Sequence, residues 1–270
     1  MADVFATNNH TTDTFDPWRG LDFSGVTLIL GVGTGRQVPL LADRCRSAEG
    51  SLVVADANLE RLRAMQRDLT DLGITWVQAR ARQIPLCDDV VDLLVLNGLL
   101  HEVPTPRMAI LCEELWRVLV PGGKLRIADM LEPSEADYHS AWAERNRIVR
   151  RLGLALEKPT ALAVDASAAA RALRNTGFED LQIALLPGYA LTDAWLEETI
   201  QAIRGMAGRV VDPDLRHFIL RQDLERLGAA YAKGDQRAPQ RFVLQAGKPG
   251  DLSVAMESAV TADDLDPPIL

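Results

Sequence analysis

Short apolar runs alternate with amphipathic stretches from Val26 onward, and this alternation constrains the fold more than any other feature. Strands that alternate with helices in this way predict an α/β domain whose parallel strands are joined by crossover helices. Runs rich in Val, Ile and Leu are typical of strands covered on both faces, and five such runs are present: 26–30, 51–55, 74–78, 90–96 and 124–129. Apolar residues three or four apart predict helices over 58–72 and 105–119, the second ended by Pro121-Gly122-Gly123.

The rest of the chain is less regular. A further helix is predicted over 165–177, followed by strands over 180–186 and 240–246. Two irregular helical stretches, 133–164 and 191–235, are long for connections, and long insertions beside a ligand-binding edge often act as lids. The predicted organisation is therefore a flexible segment over 1–20, one domain over 21–249 with two helical cap insertions, and a mobile acidic tail over 250–270.

Composition narrows the class of protein. A chain of 270 residues with a formal net charge of -9 and no long basic run is a poor match to a nucleic-acid substrate. The N-terminus has no basic region followed by an apolar stretch, and no apolar run reaches the roughly 18 residues of a membrane span. We expect a cytoplasmic protein without membrane insertion. The four scattered histidines and three cysteines predict neither a metal site nor a disulfide framework, and Cys45, Cys87 and Cys112 are predicted to be small buried residues.

A glycine-rich loop follows the first predicted strand directly. In Gly31-Val32-Gly33-Thr34-Gly35 the glycines allow a sharp turn and bring backbone amides close to a ligand, which is typical of a nucleotide site. The dinucleotide fingerprint requires glycine where Arg36 stands, and no Tyr-x-x-x-Lys pair is present, so a nicotinamide enzyme is disfavoured. Asp56, at the end of the next strand, is predicted to accept hydrogen bonds from a ribose; it could also cap the helix starting near Asn58, and the two roles are compatible.

The order of these motifs carries a family resemblance. The glycine loop and Asp56 are followed by Ile84-Pro85-Leu86, Asp92, Leu100-His101-Glu102-Val103 and Leu119-Val120-Pro121-Gly122-Gly123. This order resembles the class I S-adenosylmethionine-dependent methyltransferases, and most of all the small-molecule branch that includes the ubiquinone and menaquinone C-methyltransferases. The resemblance covers about residues 24–130, with 165–187 and 240–247 as the final helix and strand pair. It implies a Rossmann-like α/β fold with a seven-stranded, mostly parallel sheet, an antiparallel last strand and helical insertions.

The resemblance also implies a binding site for S-adenosylmethionine. The glycine loop would pass beneath the methionine and ribose, Asp56 would hold the ribose hydroxyls, and Asn97 would lie beneath the sulfonium. Leu59 occupies the position that packs on the adenine, and the backbone amide of Ala81 would reach the ring. The predicted cofactor-binding residues are Gly31, Gly33, Thr34, Gly35, Asp56, Ala57, Leu59, Arg80, Ala81 and Asn97.

Two positions depart from the family pattern. Family members commonly carry an acid where this chain has Ile29, and an aspartate that receives the adenine amino group where it has Arg80. A guanidinium has only donors, so Arg80 cannot accept that hydrogen bond. Either an acid such as Asp88 or Glu102 compensates, or the protein retained the fold and changed its ligand.

Candidate catalytic residues follow from the same resemblance. His101 would lie beside the reacting methyl and act as a general base for a hydroxyl, thiol or acidic carbon; alternatively it caps the following helix or only packs near the cofactor. Tyr138 and His139 are second candidates, and otherwise solvated residues of a charged helix. Trp142 and Trp195 could line an aromatic acceptor pocket or be core residues of the cap.

The function predicted from the sequence is methyl transfer from S-adenosylmethionine to a small, aromatic or natural-product-like acceptor. The cap insertions would form the acceptor pocket and are a candidate homodimer contact. The alternative, motivated by Ile29 and Arg80, is a methyltransferase-fold protein that no longer methylates, as a cofactor-independent enzyme or as a binding or regulatory subunit.

Overall fold

Seven strands form one sheet in the order β3-β2-β1-β4-β5-β7-β6. The structure, a computed structural model, describes residues 18, 20–33, 35–131, 140–157, 164–234 and 236–250. Strands β1 to β5 are parallel, whereas β7 pairs antiparallel with both β5 and β6. The predicted seven-stranded, mostly parallel sheet with an antiparallel last strand is confirmed. The strands are β1 Val26–Leu30, β2 Ser51–Asp56, β3 Thr75–Gln78, β4 Val91–Asn97, β5 Leu119–Met130, β6 Glu179–Leu186 and β7 Arg241–Gly247.

Helices cover both faces of this sheet. Leu111 and Leu115 of α3 pack with Leu173 of α5 on one face, and Leu41 of α1 packs with Leu62 of α2 on the other. The strands β1, β2, β4 and β5 are therefore buried from both sides over most of their length, which explains why their sequences are apolar runs without alternation. The described α-helices are α1 Val38–Ser47, α2 Leu59–Asp68, α3 Met108–Val118, α4 Ala141–Ala155, α5 Ala166–Thr176, α6 Asp193–Ala207, α7 Pro213–Phe218 and α8 Leu224–Tyr231.

The predicted end of α3 needs a correction. The helix ends at Val118, and Leu119 already has an extended backbone with φ -78° and ψ 132°. Leu119 pairs with Val91, so β5 begins there and includes the Pro-Gly-Gly sequence next to a register shift. Gly122 has the predicted positive φ, 82°, but it bends the strand and does not cap the helix. Pairing with β4 ends α3 before proline is reached.

A third apolar cluster lies in the cap, where α4, α6 and α8 pack together. The rings of Trp142 and Trp195 stack with their centroids 6.0 Å apart, and the two residues are only 5% and 3% exposed. Of the two interpretations left open by the sequence, core packing describes these tryptophans. The described parts of the two predicted insertions are largely helical, and a π-helical segment, Ile219–Asp223, joins α7 to α8.

Four further predictions concern single residues and segments. Cys45 and Cys112 are buried as expected, but Cys87 is exposed because it lies in the loop before β4. No helix in the described ranges is long and apolar enough to cross a membrane. The described residues also contain no group of three or more His, Cys, Asp or Glu side chains that could hold a metal. Residues 1–17 and 251–270, predicted as flexible termini, lie outside the described residues.

Candidate cofactor and active site

The glycine loop leaves the carboxyl end of β1 and turns back into α1. Gly31, Gly33 and Gly35 have φ angles of 79°, 53° and 78°, a region in which side chains are rarely accommodated. The Gly31 amide donates to the Ala55 carbonyl at 2.8 Å, which fixes the loop to β2. A Cβ built on Gly33 would meet nothing within 4 Å, so the loop faces open space there. Thr34 lies outside the described residues.

Asp56 links the glycine loop to the start of α2. Its buried carboxylate accepts from the Val32 amide at 3.0 Å, the Asn58 amide at 2.8 Å and Arg61 Nη1 at 3.2 Å. The N-cap of α2 is Asn58, whose side chain accepts from the Arg61 amide. Asp56 is therefore not the helix cap. Its Oδ2 atom accepts from both Val32 and Arg61, whereas among the described residues only Asn58 donates to Oδ1.

Two of the predicted cofactor-binding positions lie beside a cavity of about 620 Å³. Ala57 and Arg80 line this cavity and are both exposed. Leu59, the first residue of α2, is 36% exposed, so its apolar side chain is accessible for packing against an adenine ring. Ala81 is half-buried and packs against the core on the α3 side of the sheet.

The structure also identifies the carboxylates near Arg80. Glu114 lines the same cavity and accepts from the Ile84 amide at 2.6 Å and from Arg117 Nε at 2.9 Å. The hydrogen bond from Arg117 holds the pKa of Glu114 below its usual range, against the effect of burial. Asp88, proposed as a compensating acid, pairs with Arg117 Nη1 at 2.6 Å. Within the described part of the chain, no carboxylate forms an ion pair with Arg80.

Asn97 ends β4 and joins two polar groups at the predicted position of the sulfonium. Its amide nitrogen donates to Gln37 Oε1, and its Oδ1 atom accepts from Arg126 Nη1 at 3.1 Å. Arg126 is fully buried on β5, and its guanidinium carbon lies 4.0 Å from the ring centroid of Trp18. Trp18 therefore packs against the sheet near the carboxyl end of β4, where Asn97 lies.

Ile29 is explained by its place in the sheet. It pairs with Val95, which in turn pairs with Arg126, so the three residues form one row across β1, β4 and β5. Ile29 is only 2% exposed and belongs to the core on the α1 side. The position where relatives carry an acid is thus a packed apolar position, and the polar groups at this end of the site are those of Gln37, Asn97 and Arg126.

His101 lies in a short 3₁₀ turn, Leu100–Glu102, and pairs with a buried carboxylate. Its Nδ1 atom is 2.8 Å from Asp129 Oδ1, and its backbone amide donates to Asp129 Oδ2 at 3.2 Å. Burial lowers the pKa of His101, but the hydrogen bond and charge of Asp129, helped by Glu102, outweigh burial and raise it overall. The helix-capping interpretation of His101 is wrong, because α3 begins only at Met108, after an N-cap at Arg107.

Asp129 was not among the predicted site residues. Its side chain is completely buried, and Oδ1 also accepts from the Met130 amide at 2.7 Å, so the carboxylate is held rigidly. The available signal was its position at the end of the run KLRIAD, because the carboxyl ends of parallel strands meet at one edge of the sheet. Tyr138 and His139, the second-choice catalytic residues, lie outside the described residues.

Four neighbouring strands thus present functional groups at one sheet edge. In the order β2, β1, β4, β5 these are Asp56, the glycine loop, Asn97 and Asp129 with its partner His101. An open α/β sheet binds its ligands in the crevice at this edge. The arrangement can hold an adenosyl group at one end and a proton-accepting imidazole at the other.

Comparison with known proteins identifies the domain. Residues 28–123 match the methyltransferase domain family. Over these residues the chain is similar in sequence to methyltransferase domains. A ubiquinone/menaquinone biosynthesis C-methyltransferase, UbiE, from Vibrio vulnificus is 32% identical over 110 residues, which is 39% of this chain and 41% of that protein. The chain therefore spans less than half the length of this curated relative.

Solved structures agree with the fold over a longer stretch. A putative methyltransferase from Bacillus halodurans superposes with a TM-score of 0.53 at 19% identity, covering 83% of this chain and 92% of its own. Phosphoethanolamine N-methyltransferase 2 from Haemonchus contortus, solved with S-adenosyl-L-methionine, gives 0.52 at 15% identity, covering 83% of this chain and 49% of its own. The class I methyltransferase fold expected from the sequence is confirmed.

Proposed function

We propose that the chain transfers the methyl group of S-adenosylmethionine to a small molecule, and that His101 removes a proton from that acceptor. The observation that carries the proposal is the 2.8 Å contact between His101 Nδ1 and the buried Asp129 carboxylate, at the same sheet edge as the glycine loop and Asp56. A carboxylate on one imidazole nitrogen orients the ring and leaves the other nitrogen for the acceptor.

The residues present fit the cofactor at its ribose end. Open space in front of Gly33 and a buried carboxylate at Asp56 are what an adenosyl group requires of the protein. We assign the ribose hydroxyls to Asp56, the adenine to the surface of Ala57 and Leu59, and the methionine end to Gln37 and Asn97. The bound cofactor supplies an electrophilic methyl group on a sulfonium, so the protein mainly needs to align the nucleophile.

The base acts only on an acceptor whose nucleophilic atom carries a proton. We propose that Asp129 holds the proton on Nδ1 of His101, and that Nε2 takes the proton of an acceptor hydroxyl, thiol or acidic carbon. The imidazolium formed would remain hydrogen-bonded to the Asp129 carboxylate, which stabilises it. A positioned base of this kind contributes about 10² to 10⁴ in rate.

We further propose that the helical cap closes over this edge and forms the acceptor pocket. One backbone contact supports this. The amide of Val164, just before α5, donates a hydrogen bond to the carbonyl of Met130 at the end of β5. The cap is built on its own apolar core, so it can present a pocket wall without drawing side chains from the sheet. The aromatic or natural-product nature of the acceptor, a homodimer contact through the cap and a cytoplasmic location belong to the same proposal.

Thermal unfolding with S-adenosylmethionine and S-adenosylhomocysteine tests the cofactor assignment. A ligand at about one hundred times its dissociation constant stabilises the fold by about 2.7 kcal/mol, which raises the unfolding temperature by about 5 to 10 °C for a domain of this size. Asp56→Ala should abolish most of this shift. Asp71→Asn, at an exposed position in the turn after α2, should leave it unchanged.

Transfer itself is tested with methyl-labelled S-adenosylmethionine and a panel of phenols, quinols and thiols. Label should reach a member of the panel in the native protein and much less in His101→Gln, while both proteins show the same thermal shift with S-adenosylhomocysteine. Absence of any shift at millimolar cofactor would contradict the proposal. A shift without label transfer to any nucleophile would favour a protein that kept the fold and lost methylation.

A further inference from the structure

The guanidinium of Arg145, on α4, lies in a partly buried aromatic environment. Its carbon is 5.1 Å from the ring centroid of Trp142, and Nη1 donates to Asn146 Oδ1 at 2.8 Å. Burial lowers the pKa of Arg145, and the opposing effect comes from Tyr189. Its charge is thus removed from bulk water, and its partners among the described residues are an amide oxygen and an aromatic ring. A desolvated cation in such a place is costly unless an anion pairs with it.

Two carboxylates of the cap that could have neutralised Arg145 are already paired with other arginines. Glu144 pairs with Arg147 at 2.8 Å, and the buried Asp223 pairs with Arg151. Over the described ranges, no carboxylate lies within ion-pair distance of Arg145. None of the described carboxylates therefore neutralises this guanidinium.

A second guanidinium and a phenol complete the cluster. The Tyr189 ring meets Trp142 edge to face at 6.2 Å, and the guanidinium carbon of Arg241 is 5.7 Å from the Tyr189 ring centroid. Burial raises the pKa of Tyr189, although the charges of Arg145 and Arg241 oppose this. Tyr189 therefore stays neutral at physiological pH, and the cluster carries two positive charges around a hydroxyl donor.

The cluster lies at the edge of the sheet that carries the proposed base. Arg241 is the first residue of β7 and pairs with Met130, the residue after Asp129. Arg145 is close enough to His101 for its charge to oppose protonation of the imidazole. The cluster and His101 thus lie at the same end of the sheet, and the charge of an anion held by the cluster would act on the imidazole.

We propose that the acceptor carries an anionic oxygen group, a carboxylate or a phosphate, which Arg145 binds together with Tyr189 and Arg241 while His101 receives the proton of the atom to be methylated. This inference rests on the proposed methyl transfer and names its substrate class. The planar guanidinium fork matches the paired oxygens of either group, and hydrogen bonds between two ionised partners are about twice as strong as neutral ones.

The test measures binding of benzoate, phenyl phosphate and the neutral benzamide by calorimetry, in the protein saturated with S-adenosylhomocysteine. At least one anion should bind about tenfold or more tightly than benzamide, and which of the two does so separates a carboxylate site from a phosphate site. Arg145→Gln should remove this preference, and Arg145→Lys should retain part of it. Arg150→Gln, an exposed position on the same helix, should leave it intact.

Equal binding of benzamide and both anions overturns the inference, as does an equal loss in Arg145→Gln and Arg150→Gln, which would indicate general attraction to a basic surface. Arg145→Lys keeps the test valid if the glutamine variant unfolds at a lower temperature. If the proposed methyl transfer is wrong, S-adenosylhomocysteine does not bind. The preference for anions over benzamide is then measured in the protein without S-adenosylhomocysteine. If S-adenosylhomocysteine binds but anions are not preferred over benzamide, this inference is overturned and the proposed methyl transfer is not.

Discussion

Replacing Asp129 by asparagine is expected to move the pKa of His101 from above its ordinary value to below it. Four influences act on this imidazole in the native protein: burial and the charge of Arg145 lower its pKa, and Asp129 and Glu102 raise it. Asparagine removes the charge and the ionic hydrogen bond but leaves the burial, which is the largest single influence. Burial then prevails, so the direction of the shift reverses.

The same substitution has a stability cost that depends on pH. A hydrogen bond to a charged partner contributes about 1.5 to 3 kcal/mol, and the 2.8 Å contact of Nδ1 with a fully buried carboxylate is of this kind. Because the folded-state pKa of His101 is raised, the extra stability is fully present below the ordinary pKa of about 6.5 and is lost as pH rises through the folded-state value. Asp129→Asn should therefore lose more stability in mildly acidic solution than in alkaline solution.

The assay is titration of the imidazole carbon-bound protons by nuclear magnetic resonance. The chain has four histidines, so His101→Gln assigns the signal without ambiguity. Glu102→Gln provides a graded comparison: it should lower the midpoint of His101 less than Asp129→Asn, because Glu102 acts by charge alone and is exposed. An unchanged midpoint in Asp129→Asn, or one that rises, would refute the description of the pair.

Three other substitutions test separate parts of the site and the cap. Arg61→Ala frees Asp56 Oδ2 from an ion pair that is 42% exposed on the arginine side; since such pairs contribute at most about 1 kcal/mol, calorimetry should show cofactor binding tightened by up to about fivefold. Gly33→Ala should cost about 1 to 2 kcal/mol in urea unfolding because of its positive φ, and should weaken cofactor binding because the added methyl enters the open space. Asp223→Ala removes the partner of Arg151 and should lower the free energy of unfolding by about 3 kcal/mol. This is the lower end for a buried pair, because Arg151 is 30% exposed. A decrease of less than about 1 kcal/mol would contradict this.

The sheet was predictable because its strands are sandwiched between helices. Strands covered on both faces are continuous apolar runs, and the helices that cover them have apolar residues three or four positions apart. Both patterns are visible in the sequence. The start of β5 was missed for a physical reason: Leu119 could extend an apolar helical face or begin a strand, and only its pairing with Val91 decides. The bend at Gly122 has the same glycine signature whether it ends a helix or deforms a strand.

The site was predictable where a ligand position depends on the local backbone conformation. It was not predictable where the position depends on contacts between residues that are far apart in the sequence. The glycine loop and Asp56 follow their strands immediately, so the sequence order gives their location. Asp129 lies 28 residues from His101, and only the adjacency of β4 and β5 joins them. Arg145 belongs to α4 and Tyr189 lies between β6 and α6, and the packing that joins them follows no repeated sequence pattern.

The charges around His101 explain why a buried carboxylate is required at all. Arg145 opposes protonation of the imidazole, and burial opposes it further. Without Asp129, the ring would stay neutral but could not hold the proton that an acceptor gives up, because an imidazolium would stand unneutralised beside a guanidinium. With Asp129 on Nδ1, the proton gained on Nε2 completes an ion pair inside the protein, and an anionic acceptor group on Arg145 would reduce the remaining repulsion. If this balance is right, binding of benzoate at Arg145 and protonation of His101 favour each other, so benzoate should raise the pKa of His101 in the native protein but not in Arg145→Gln. A pKa that is independent of benzoate, under conditions where benzoate is bound, would show that the two charges are not coupled.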